Sequence, residues 1–339
     1  MDKLQHGIRR NIVVVGASAG GVEALQALFA CMPPDTGASF CVVLHVSPHS
    51  PSQLPRILQR VTSMHVTFAD DRQEIMPDTI YVATPDRHLL VEGDRLRVTR
   101  GPKECRVRPA IDALFRSAAL AFGPRAIGVI LTGALDDGTA GLWQIKDRQG
   151  LAFVQSPEEA QHRSMPDSAI EHVNVDLVGT IQQLGAAIAR ETTRESPLPV
   201  LPAPRMSQEV ENDVALEESG MYAGVMGLGK VSNYTCPECH GVLVQIEEGK
   251  LVRFRCHTGH AYSFKSLLAE VNDAVDTSLW STVRAIEERI LILKQFAGVA
   301  EAAGKMAEAS RLRTKANEAE EKCAPLRALV LDADFFALD

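Results

Sequence analysis

Short apolar runs alternate with segments of helical spacing over roughly the first 190 residues. Residues 12–15, 40–45, 80–83, 127–132 and 151–155 are apolar or β-branched with few polar interruptions. Between them, residues 22–31, 52–61, 110–122 and 141–148 repeat apolar side chains at helical intervals. Strands that do not alternate are buried on both faces, so the pattern predicts a doubly wound α/β domain, a parallel sheet with helices on either side. Residues 73–100 do alternate, with turn signals at Pro77-Asp78, Pro85-Asp86 and Gly93-Asp94, and predict a local antiparallel excursion.

A different pattern follows. Residues 196–205 contain Pro197, Pro199, Pro202 and Pro204 and predict a semi-extended linker. Further on, Cys236-Pro-Glu-Cys239 and Cys256-His-Thr-Gly-His260 flank residues 242–255, which read as a β-hairpin turning at Glu247-Glu-Gly-Lys250. Two ligand pairs joined by a hairpin have the spacing of a small zinc ribbon. Cys236, Cys239 and Cys256 are three ligands, and either His257 or His260 supplies the fourth; His260 is favoured because Gly259 shapes a short knuckle turn. Four protein ligands close the coordination shell, so the Zn2+ is expected to be structural.

Leu279, Val283, Ile286, Ile290 and Leu293 follow four-three spacing, as do Leu312, Ala316, Ala319, Cys323, Leu326 and Val330. The step between the two stripes is not a whole number of heptads and contains Gly304, which predicts an antiparallel helical hairpin. The expected organisation is an α/β domain over 8–192, a Pro-rich linker over 193–230, a zinc-ribbon-like module over 231–265 and the hairpin over 266–335.

Composition narrows the function classes. The chain has 339 residues, 45% of them hydrophobic and 23% charged, with a net charge of -8, as in soluble globular proteins that repel nucleic acid and anionic membranes. No segment approaches the length of a membrane span and the N-terminus lacks a signal-peptide pattern, so a cytoplasmic location without membrane insertion is expected. Seven cysteines, an odd number, argue for reduced thiols rather than a disulfide framework.

The candidate chemistry sits at predicted strand ends. Gly16-Ala-Ser18-Ala-Gly20-Gly21 follows the first apolar run and precedes helix-forming residues, the pattern of a nucleophile elbow that lifts a serine beside a helix N-terminus. A phosphate-binding turn is the rival, but Ser18 stands where a dinucleotide fold needs its middle glycine, and the P-loop Lys-Ser/Thr is missing. A serine nucleophile needs a base and an orienting carboxylate. His45 ends the second strand, ahead of His49, and Asp136 and Asp137 follow the strand at 127–132. The chain order Ser, His, Asp differs from that of the α/β-hydrolases.

With these residues in view, residues 11 to about 180 resemble the catalytic domain of the chemotaxis protein-glutamate methylesterases, the CheB family. The family's Gly-Ala-Ser-Thr-Gly-Gly is similar to the elbow here, its Gln-His-Met-Pro to Leu44-His45-Val-Ser-Pro48, and its Leu-Thr-Gly-Met-Gly-x-Asp-Gly to the stretch from Leu131 to Gly138. The resemblance implies Ser18 as nucleophile, His45 as base in preference to His49 or His65, and Asp137 as orienting acid. Segments beginning at Ile80, Arg108 and Ser164 agree as well. Ala19, Ala134 and Leu135 depart from the family pattern, and Leu135, in place of a glycine, is expected to shift the backbone that carries Asp137.

What the resemblance implies is hydrolysis of glutamate methyl esters on the cytoplasmic helices of chemoreceptors, with glutamine deamidation as a side activity and no catalytic cofactor. The receiver domain that usually precedes such a domain is not seen, so control is expected from a partner or the C-terminal region unless activity is constitutive. The alternative is a catalytically weak adaptor of a chemosensory pathway, binding a signalling partner or itself through the zinc and helical parts. Zinc is expected to serve the fold of its own module and not the ester chemistry.

Overall fold

Seven parallel strands form the central sheet in a computed structural model that describes residues 8–48, 51–196, 201, 203–217 and 220–336. In chain order they are β1 (Ile12–Ala17), β2 (Ser39–Leu44), β3 (His65–Phe68), β4 (Thr79–Val82), then, after a separate antiparallel hairpin of β5 (His88–Glu92) and β6 (Arg95–Thr99), β7 (Ala126–Ile130), β8 (Leu151–Gln155) and β9 (Leu177–Gly179). Their order across the sheet is β9-β8-β7-β1-β2-β4-β3. Helix α1 (Gly21–Ala30) follows β1, the short α2 (Leu54–Leu58) follows β2, α3 (Ile111–Phe122) precedes β7, α4 (Thr139–Asp147) follows it, and α5 (Ser164–His172) and α6 (Ile181–Thr193) flank β9. Leu25, Leu28, Leu184 and Ile188 pack on one face with Val13, Val15 and Val42. Leu114, Phe115 and Leu142 cover the other with Ile12, Val14 and Val43.

Every residue of β1, β2 and β7 is buried, which is why these strands read as continuous apolar runs. The edge strands β3 and β9 are only partly buried and carry no such run, so the sequence pattern passed over them. Of the excursion expected at 73–100, residues 88–99 form the antiparallel β5–β6 hairpin, whereas β4 joins the parallel sheet.

The linker expectation needs correction. Pro197, Pro199 and Pro202 lie outside the described residues, but the same stretch continues into helix α7 (Met206–Ala215). Its inward face mixes polar and apolar side chains, with Gln208 and Glu211 fully buried beside Val210, Val214 and Ala215. Ala215 packs with Leu90, Ala110 and Ala113 of the α/β domain, and Thr99 donates its hydroxyl to the Ala215 carbonyl at 2.6 Å. With Gln208 and Glu211 interrupting Val210, Val214 and Ala215, the helix has no unbroken apolar stripe to reveal it.

The cysteine-bearing region is a four-stranded antiparallel sheet of β10 (Lys230–Thr235), β11 (Val242–Glu248), β12 (Leu251–Cys256) and β13 (Ala261–Ser263), in that order. Residues up to 266 form one compact unit, and residues 267–339 form another. Most of the second unit is an antiparallel hairpin of α8 (Phe264–Ala302) and α9 (Met306–Val330), which turns at Gly304 with φ +76°. Val283, Ile290, Ala316, Ala319 and Cys323 form its core, the two stripes read from the sequence. Ion pairs recur every seventh residue along it, Glu287–Arg327, Lys294–Glu320 and Glu301–Arg313.

Candidate active site and metal-ligating cluster

Three adjoining strands deliver the site. Ser18 leaves the C-terminal end of β1, and its N–H donates to the Thr132 carbonyl beyond β7 at 3.0 Å. His45 leaves the end of β2, where Ala17 pairs with Leu44, and its N–H donates to the Ala17 carbonyl at 3.1 Å. Ser18 and His45 therefore occupy neighbouring register positions, on strands spaced about 4.8 Å apart.

The elbow glycines have separate reasons. A Cβ on Gly16 would lie 2.3 Å from Ile111 Cγ2 of α3. Gly20 turns the chain into α1 with φ +72°. Ser18 and Gly133 N–H groups are taken by the Thr132 and His162 carbonyls. The Ala19 and Ala134 N–H groups donate to no other group among the described residues, so both are available to a developing oxyanion, and Ala134 is exposed.

Asp137 closes the arrangement. Its Oδ2 lies 2.8 Å from His45 Nε2, and its two oxygens also accept from the Ile111 and Asp112 N–H groups at 2.7 and 3.1 Å. These are the first amides of α3, which has no side-chain cap of its own. Asp137 thus caps a helix from a distant loop, and the helix N-terminus favours its negative charge. An ionised carboxylate only accepts, so the proton of the His45–Asp137 bond belongs to Nε2 and the basic lone pair to Nδ1. Leu135 adopts φ +60°, the left-handed conformation its glycine counterpart would take at low cost. The strain is absorbed at Leu135 and leaves Asp137 on His45.

Asp136, the other candidate carboxylate, points elsewhere and accepts from Ser263 Oγ at 2.8 Å. His65 lies in edge strand β3 and is exposed; His49 lies outside the described residues. Asp112, which the sequence reading passed over, is buried beside Asp137 and accepts from the Gly141 N–H at 2.6 Å. Burial, reinforced by the charge of Asp137, holds its carboxyl well above the ordinary range.

A cleft of about 140 Å³ adjoins His45 and is lined by Val46, Pro48, Lys103, Arg106 and Arg108. Arg108 is fixed to Asp86 through two nitrogens at 2.9 and 2.6 Å. Arg106 sits with Cys105 in a two-residue turn closed by mutual backbone bonds of Glu104 and Val107. Both turn residues have positive φ, +48° and +73°, as such a turn demands.

Beneath the turn, Glu104 and Arg116 are buried and pair at 2.6 Å. Glu211 of α7 joins Arg253 at 2.7 Å and Arg255 at 3.1 Å, and Arg255 reaches Glu104 at 3.0 Å. Arg253 also meets Glu248. Three arginines and three glutamates from the α/β domain, α7 and the four-stranded sheet therefore share one buried network.

The second cluster is Cys236, Cys239, Cys256 and His260, whose donor atoms all lie within 4.8 Å of one another. All three cysteines are free thiols. His260 presents Nδ1, whereas His257 stands against Gly241.

With this geometry in place, similarity to known proteins decides the family. The family model described as CheB methylesterase matches residues 13–188. The chain belongs to the CheB methylesterase family. With it, the chain joins the carboxylic ester hydrolases. A protein of Leptospira interrogans is 37% identical over 179 residues, 52% of this chain and 93% of its own length. The protein-glutamate methylesterase/protein-glutamine glutaminase of group 3 operon from Cereibacter sphaeroides is 34% identical over 181 residues, and the match spans 49% of that protein. The crystal structure of the Thermotoga maritima CheB methylesterase catalytic domain superposes with a TM-score of 0.52 at 29% identity, covering 54% of this chain and 99% of that one. These matches span about half the chain, the α/β domain.

Proposed function

We propose that this chain is a protein-glutamate methylesterase that hydrolyses glutamate methyl esters on the cytoplasmic helices of chemoreceptors, and deamidates glutamine there by the same steps. The observation that carries the reading is the 2.8 Å contact of His45 Nε2 with Asp137, beside a serine on a strand-end elbow in the neighbouring register position. The names of its relatives supply the protein-glutamate and protein-glutamine substrates, and the resemblance to the chemotaxis methylesterases supplies the receptor.

Ser18 Oγ attacks the ester carbonyl while His45 Nδ1 takes its proton. The Ala19 and Ala134 amides stabilise the oxyanion. His45 returns the proton to the departing methoxide, and methanol leaves. A water deprotonated by His45 then cleaves the acyl-serine, freeing the glutamate carboxylate and restoring Ser18. For glutamine the first leaving group is ammonia. Asp137 keeps the proton on Nε2 and stabilises the imidazolium formed at each transfer. Arg106 lines the cleft beside His45 together with Arg108, which Asp86 holds, and Lys103, which Glu238 holds. A receptor's cytoplasmic helices as substrate imply a cytoplasmic site of action.

Labelling with a fluorophosphonate tests the nucleophile. The reading expects one adduct per chain, on the peptide bearing Ser18, and far slower labelling in His45→Ala. An adduct on another serine, or none, contradicts it.

A further inference from the structure

We propose that Cys236, Cys239, Cys256 and His260 bind one zinc ion, and that the loaded knuckles clasp the rim of the esterase site. The metal half stands on geometry alone; that the clasped rim belongs to an esterase site rests on the methylesterase reading.

A tetrahedral zinc with Zn–S bonds near 2.3 Å and a Zn–N bond near 2.0 Å sets sulfur–sulfur edges of about 3.8 Å and sulfur–nitrogen edges of about 3.5 Å. Cys239 and Cys256 Sγ are 3.6 Å apart, and His260 Nδ1 lies 3.6 Å from Cys236 Sγ and 3.5 Å from Cys256 Sγ. Three thiolates and one imidazole in this arrangement select zinc over the harder divalent cations. The outer groups fit as well. His260 Nε2 faces Glu238 at 3.5 Å, as a ligand histidine's second nitrogen commonly faces a carboxylate. The Thr258 hydroxyl lies 3.1 and 2.9 Å from two of the sulfurs, and the Tyr262 hydroxyl 3.5 Å from the third.

Each knuckle also touches the rim of the catalytic cleft. Glu238, inside the first Cys-x-x-Cys turn, pairs with Lys103 at 2.8 Å. Ala261, directly after ligand His260, accepts from the Cys105 N–H at 2.8 Å and donates to the Lys103 carbonyl at 3.2 Å. These bonds brace the turn that presents Arg106. Two residues further, Ser263 holds Asp136, the neighbour of Asp137. Gly259 lets the second knuckle approach this closely, since a Cβ there would lie 2.4 Å from Val214 Cγ1 and 2.8 Å from Pro102 Cγ.

The test uses the full chain, zinc analysis, and hydrogen–deuterium exchange of peptides covering 103–107 and 133–137. One zinc per chain is expected, lost in Cys239→Ser. Chelation should speed exchange in both peptides by about tenfold, leave the peptides of β1 and β2 unchanged, and be reversed by zinc alone. Ser263→Ala should keep its zinc and lose protection only at 133–137. If Cys239→Ser does not fold, chelation and reloading of the natural sequence give the same reading. A chain without zinc, or Cys239→Ser retaining it, overturns the metal site. Exchange that is unaltered by chelation, or that rises uniformly in β1 and β2 too, overturns the clasp. Zinc-dependent protection in a chain inactive on esters supports the clasp and counts against the methylesterase reading.

Discussion

Arg255 of β12 and Glu104 at the edge of the catalytic cleft meet at 3.0 Å with both side chains almost wholly out of water. Glu104 has no other way to stay charged there than its two arginines, and Arg116 has Glu104 and Glu211. The cysteine-bearing sheet is therefore part of the fold that holds the candidate site.

Arg255→Met removes one member of the network while retaining much of the volume. It leaves Glu104 and Glu211 short of positive charge, and removing one partner of a buried pair costs about 3 kcal/mol or more. Urea denaturation should show a fall of this size. A change under about 0.5 kcal/mol, typical of surface substitutions, would contradict the network's role.

Stability should fall in acid through the same glutamates. Burial pushes the Glu104 carboxyl up, but Arg116 and Arg255 outweigh it and bring it from 4.5 down to about 2. Glu211 is likewise held below its ordinary value by Arg253, Arg255 and Arg116 against burial. A depressed carboxylate contributes fully above its unfolded value and loses that contribution as the pH falls through the folded one. For Glu104 alone this amounts to about 3 kcal/mol, lost between about pH 4.5 and 2. Asp112, raised by burial and Asp137, acts in the opposite sense and favours the folded state as it protonates. Thermal melting of the natural chain should drop more steeply over this window than that of Glu104→Gln. Parallel curves would contradict the assignment.

The two adjacent aspartates separate cleanly. Asp137→Asn places an amide where His45 Nε2 and two helix amides all need an acceptor, and should lower kcat on the order of a thousandfold. Asp136→Asn keeps an acceptor for Ser263 and should cost less than about tenfold. Steady-state kinetics on a small ester decide, and the reverse ranking would mean that Asp136 orients the base.

Much of this site was legible from sequence because its residues stand at the ends of wholly buried strands. β1, β2 and β7 announce themselves as apolar runs; Ser18 and His45 follow β1 and β2 directly, whereas Asp137 lies in the loop beyond β7 and was told from Asp136 by the family resemblance. That Cys236, Cys239, Cys256 and His260 come together was legible because their spacing is local. What stayed hidden depends on contacts between distant polar residues. Glu211 is buried against Arg253 and Arg255 and Gln208 against Asp147, and a helix with such residues on its inner face resembles a solvated linker. Ser263 gains its role from Asp136, which lies 127 positions away. No local pattern marks Arg106 either, since Cys-Arg is an unusual pair for a turn with two positive φ angles.

Methanol release from a methylated chemoreceptor, measured side by side for the natural chain and Ser18→Ala, tests the central claim most directly. The account predicts release by the natural chain and a rate lower by about a thousandfold or more for Ser18→Ala. Equal rates near background for the two proteins would contradict it and leave the adaptor reading in its place.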